Sequence, residues 1–214
     1  MTAPPPSPAL LGVLDNTGPV RGRAPARSLL IVALVACAYP AWTLVSSPLR
    51  AARGSLSLAW FAGVAALWFA GFAVPLAFAI VPRRGQVLPD GDRALRVALL
   101  AAAGLIGVSC FVPGFASSSF ASPSRTWPGC LIASATLTAP TLLAGALVLR
   151  RVALVGSWRL GAALGAAGGA LAGLTLHLTC ANARPAHVAL GHGGGIVLGA
   201  ILGGLSFSLL RLRR

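Results

Sequence analysis

Leu160–Cys180 reads LGAALGAAGGALAGLTLHLTC and, after a short polar link, Pro185–Leu210 reads PAHVALGHGGGIVLGAILGGLSFSLL. Gly161, Gly165, Gly169 and Gly173 recur every four residues in the first segment, and Gly195, Gly199 and Gly203 do so in the second. This spacing keeps small residues on one slowly drifting face of an α-helix. Such faces let two backbones approach closely where lipid supplies no hydrophobic drive between helices. The pair therefore predicts a tightly packed membrane hairpin, with Cys180 in its turn and His177 and His187 on either side.

The composition around the hairpin supports a membrane setting. Hydrophobic residues make up 57% of the 214, and charged residues only 9%, which does not describe a soluble fold. Repeated apolar runs of about twenty residues describe membrane spans. The formal net charge of +14 comes from 17 basic residues, all arginine, against 3 acids. The arginines fall in small groups at the ends of apolar runs and not in one stripe, so nucleic acid is not the expected partner. No cleavage motif clearly follows the first apolar run, which reads as an uncleaved anchor.

The runs divide the chain into a proline- and arginine-rich leader, 1–27, a transmembrane domain, 28–210, and a basic tail, 211–214. The leader's composition is that of an extended or disordered segment. The expected spans are about 28–45, 56–81, 97–112, 130–149, 160–180 and 186–210, making an all-α, polytopic bundle of six transmembrane helices. Pro75 should kink the second span, which neighbouring helices can tolerate. The polar turn before the third is read as Pro82–Arg93. The leader, the loops after spans two and four, and the tail carry 13 arginines, and the other three loops carry 4. The positive-inside rule then puts both termini in the cytoplasm.

On this segmentation no span contains Asp, Glu, Lys or Arg, which argues against an ion-coupled transporter. Nor can a carboxylate pair or a nucleophile, base and orienting acid be assembled on one side, so no catalytic residues and no enzyme activity are expected. The cysteines are Cys37, Cys110, Cys130 and Cys180. Cys130 and Cys180 each lie about 20 residues from the arginines at the inner ends of their spans, roughly 30 Å at 1.5 Å per residue. They should sit at matched heights near the outer face, on antiparallel neighbours. Cys110 should lie deeper and Cys37 mid-span, both readable as small buried apolar residues.

Two readings of the Cys130 and Cys180 pair stand side by side: a permanent structural disulfide, or a redox-responsive pair. His177, three residues before Cys180, and His187, folding across the turn, would with both cysteines offer a nitrogen and sulfur set suited to copper or zinc as a sensed ligand. Interfacial polar residues are the plainer account of these histidines. His192, about a turn further on, reads as lying away from the cluster.

With those residues laid out, the chain resembles the NrsF/OsrA-type family of six-span membrane anti-sigma factors. The resemblance is carried by Leu14-Asp15 and Pro19-Val20-Arg21 before span one, Cys130 opening span four, Pro140 within it, Arg150-Arg151 after it, and Leu176-His177-Leu178-Thr179-Cys180 closing span five. The chain has two more residues between His177 and Cys180 than the family pattern. His187 and His192 stand where the family has a tryptophan-rich start to span six.

The resemblance implies a protein of the bacterial inner membrane that holds an extracytoplasmic-function sigma factor and releases it under oxidative or metal stress. Asp15, Pro19 and Val20 would contact the sigma factor, and Cys130 and Cys180 would be the periplasmic sensing pair. The implied partners are that sigma factor and membrane lipid, with no resident cofactor. A small channel or transporter and a periplasm-facing metal or thiol redox protein are the alternatives.

Overall fold

In a computed structural model the protein is described over residues 25–46, 58–82, 89–110, 127–149, 157–180, 182 and 185–212. Asp15, Pro19 and Val20, with the rest of the leader, lie outside the described residues. The helices are α1 (Pro25–Ser46), α2 (Leu58–Ile80), α3 (Gly91–Cys110), α4 (Trp127–Leu149) and α5 (Ser157–Thr179). A composite element follows: a short α6 (Pro185–His187), a π-helical segment (Val188–Gly193) and α7 (Gly194–Leu212). The described residues contain no strand.

The fold is all-helical, and among the described residues five helices are long and apolar enough to cross a membrane: α1, α2, α4, α5 and the run Val188–Leu210. Large apolar side chains such as Leu34, Trp42, Phe69, Ile132 and Leu205 lie on their outer surfaces, as expected where the solvent is lipid. Pro75 lies inside α2, which continues on both sides of it.

The helix α3 carries Asp92, Arg93 and Arg96 near its start and is not among the five. Its beginning corrects the expected turn at Pro82–Arg93, because the helix opens at Gly91. Asp90 explains the earlier start. Its carboxylate accepts a bond from the Arg93 backbone N–H at 3.1 Å, and its carbonyl accepts the first helical bond, from Ala94, at 3.0 Å. This is the work of an N-cap, which satisfies amides that the first turn leaves without partners.

The central helix is α5, which touches α1, α2, α3, α4 and α7, and every residue from Leu160 to Gly173 is buried. Its alanines and glycines make this possible, since a helix surrounded on all sides must be thin. Against α7 the glycines interlock in antiparallel order. A Cβ at Gly161, Gly165 or Gly169 would strike the carbonyl oxygen of Gly203, Gly199 or Gly195 respectively. The expected close hairpin is thus present over three pairs.

Gly173 departs from that face. A Cβ there would enter the indole ring of Trp68, which reaches in from α2 and is fully buried. On another side of α5, Gly168 lies against Thr138 and Thr141 of α4. The starts of α3 and α5 meet at the opposite end of the bundle from Cys180, where Arg159 pairs with Asp92 at 2.8 Å. Near that end the Arg93 guanidinium lies 4.2 Å from the centre of the Phe78 ring, at the close of α2.

Candidate functional site

Cys130 stands in the first turn of α4, and Cys180 follows the last residue of α5. Because α4 and α5 run antiparallel, the start of one meets the end of the other. The two sulfurs are 3.9 Å apart, both on half-buried residues with free thiols. His187, at the end of α6 and fully buried, places its Nε2 3.4 Å from Cys130 Sγ and 3.4 Å from Cys180 Sγ. The matched heights expected from span lengths are therefore those of the structure.

The histidine set differs from the expectation. His177 does not join the cysteines: its ring stacks on Phe61 of α2 with centroids 4.7 Å apart. Its Nε2 lies 3.2 Å from the Phe61 carbonyl oxygen, which can only accept, so this nitrogen carries the proton. Residues three apart on an α-helix diverge by roughly 60° around the axis, and here that divergence turns His177 toward α2 and Cys180 toward α4.

His192 takes the vacated place. Cys130, Cys180, His187 and His192 bring one potential ligand atom each to within 4.8 Å of one another, and the His187 and His192 rings meet edge to face at 5.4 Å. The π-helical segment is the reason. On an α-helix residues five apart point roughly 140° away from each other, whereas i→i+5 bonding brings them near the same side. The Gly194 N–H bonds back to the Ala189 carbonyl, five residues earlier.

Neighbouring groups hold the wider turn. Ser134 Oγ donates to the Gly191 carbonyl at 3.3 Å, and a Cβ on Gly191 would approach the Cys130 Cβ at 3.1 Å. Gly193 and Gly195 are equally confined, by Ile106 and by Ser134. The glycine run Gly193-Gly194-Gly195 beside His192 was the available sequence signal, because glycines permit both the altered turn and the close approach of α4.

Of the other two cysteines, Cys37 is not in this cluster. Cys37 is half-buried against the apolar core, and Cys110 closes α3 with its side chain outside the described residues. The buried hydroxyls of Thr138 and Thr175 bond to carbonyls of their own helices, those of Ser134 and Leu171.

Chemically the site can do two things. Its thiols can be oxidised to a disulfide after closing from 3.9 Å to about 2.05 Å, or its two sulfurs and two nitrogens can hold a soft or borderline metal ion.

Fold and site together define a multi-pass, all-helical membrane protein with a cysteine and histidine cluster at one end of its bundle. Comparison of the chain with protein-family models, curated proteins and solved structures finds no match.

Proposed function

We propose that the protein is a membrane anti-sigma factor whose Cys130 and Cys180 site senses a periplasmic oxidative or metal signal. In this reading six spans cross the bacterial inner membrane with both termini in the cytoplasm, and α3 completes the set despite its charged start. Asp15, Pro19 and Val20 retain an extracytoplasmic-function sigma factor until the signal arrives. The anti-sigma output follows from the family resemblance and from the arginine distribution, which puts the leader on the inner side.

The observation that carries the sensing half is the approach of two free thiols to 3.9 Å at the end of the central helix. Disulfide formation would bring the two sulfurs, at the start of α4 and the end of α5, about 2 Å closer, given the length of an S–S bond, and whatever part of that approach side-chain rotation does not absorb falls on the two helices. Because α5 meets α7 through backbone contacts at three glycine pairs, it cannot shift at one end without disturbing that seam. A signal biases such a switch only by interacting differently with its two states, and a closing bond between helices is a difference of that kind.

The test is retention of the host's extracytoplasmic-function sigma factors by the full-length protein in a pull-down. Wild type should retain one and release it on treatment with a thiol oxidant or a thiophilic metal, whereas Asp15→Ala should retain less of it. Retention by no sigma factor, or equal retention by Asp15→Ala, would remove the leader from the mechanism.

A further inference from the structure

The geometry points to a tetrahedral zinc(II) site formed by Cys130, Cys180, His187 and His192. Zn–S bonds of about 2.3 Å and Zn–N bonds of about 2.05 Å set at tetrahedral angles require a sulfur–sulfur edge of about 3.8 Å and sulfur–nitrogen edges of about 3.6 Å. The observed edges are 3.9 Å between the sulfurs and 3.4 Å from each sulfur to His187 Nε2. The fourth ligand atom, from His192, lies within the same 4.8 Å set. Three edges of the tetrahedron are thus already close to their bonded lengths before an ion enters.

Charge balance selects a divalent ion, and the near-tetrahedral edges favour zinc over copper(II), which takes tetragonal sites. Two thiolates and two neutral imidazoles around Zn²⁺ sum to zero. The same ligands around Cu⁺ would leave one uncompensated negative charge beside two almost wholly buried imidazoles, and isolated charge is costly there. Binding replaces the two S–H protons by one ion and releases them, so nothing is oxidised or reduced. The two imidazoles are almost wholly buried while both cysteines are half-exposed, which gives the ion a path from the surface through the sulfurs.

The ligands also tie together parts of the chain that otherwise end separately: the start of α4, the end of α5 and the π-helical turn. That turn supplies the second nitrogen, and wide turns inserted into α-helices recur at functional sites. A disulfide between Cys130 and Cys180 would leave no thiolate to bind an ion, so zinc-bound and disulfide states exclude each other. That zinc at this site is itself the metal signal rests on the sensor reading above. That zinc binds does not.

Cobalt(II) is the probe, because it reports both sulfur ligation and coordination geometry. The full chain, in nanodiscs, reduced and stripped with chelator, should bind one Co²⁺ per chain. The spectrum should show sulfur-to-cobalt charge transfer and the intense visible bands of a tetrahedral centre, and stoichiometric Zn²⁺ should abolish both. His187→Ala and His192→Ala should each weaken binding more than tenfold, whereas His177→Ala should leave it unchanged. Zinc should also protect Cys130 and Cys180 of wild type from maleimide, and chelator should restore labelling.

A wild-type protein without the charge-transfer band, or a His192→Ala variant binding as tightly as wild type, would overturn the assignment whatever the variants' folding. Zinc binding as described with no zinc or oxidant effect on sigma retention would uphold the site and overturn the sensor reading.

Discussion

Adding one methyl group at Gly165 should be among the most damaging small changes the bundle can suffer. Its Cβ would overlap the Gly199 carbonyl oxygen and crowd the Gly199 carbonyl carbon at 2.5 Å, and both obstacles are backbone that no rotamer change can move. Relief requires α5 and α7 to separate, which also opens the contacts of Gly161 with Gly203 and of Gly169 with Gly195. Overpacking a dense interior costs about 1–3 kcal/mol. With two neighbouring pairs lost together, Gly165→Ala should lie at the top of that range, about 3 kcal/mol, or roughly a hundredfold in the unfolding equilibrium.

Reversible unfolding in mixed micelles, followed by far-ultraviolet circular dichroism, measures the effect. Gly63→Ala and Gly104→Ala are the controls, since a Cβ at either position meets nothing within 4 Å and alanine is the better helix former. Both controls should match or exceed wild type. Equal stability of Gly165→Ala and Gly104→Ala would refute the backbone-to-backbone packing of α5 on α7.

Trp68→Ala, which empties the slot over Gly173, should cost about 3–5 kcal/mol in the same assay. A cost under about 1 kcal/mol would mean that the ring does not fill that slot. Ser134→Ala leaves the Gly191 carbonyl without its hydroxyl donor and should cost about 1–3 kcal/mol, together with faster maleimide labelling of Cys130 as the wide turn loosens. At the other end, a double-mutant cycle on Arg159 and Asp92 should give a coupling under about 1 kcal/mol that fades with salt, since the two side chains are 42% and 54% exposed.

The hairpin was legible because a four-residue glycine period has one simple physical use between apolar helices, and Gly161, Gly165 and Gly169 serve it. Gly173 follows the same period to a different end, because the bulk that meets it is Trp68 on a helix about a hundred residues away, and no local pattern reports that contact. Cys130 and Cys180 could be placed at one height by counting rise per residue from arginines at the membrane edge. The same arithmetic failed for His192, since it assumes α-helical winding throughout, and the π-helical segment changes the direction of every side chain after it. His177 was misassigned because helical spacing says which residues are near in angle but not which neighbouring helix each one meets. The start of α3 was hidden by reading Asp90 as part of a polar turn, although an aspartate before a helix is a familiar cap.

The central claim is that Cys130 and Cys180 sense the signal that governs sigma release. It is tested most directly in cells carrying a sigma-dependent reporter, with wild type compared against Cys130→Ser and Cys180→Ser at matched membrane abundance under a thiol oxidant and under added zinc. The account predicts that either serine uncouples the reporter from both treatments while sigma binding through the leader persists. A full reporter response in the Cys130→Ser, Cys180→Ser double variant would contradict it.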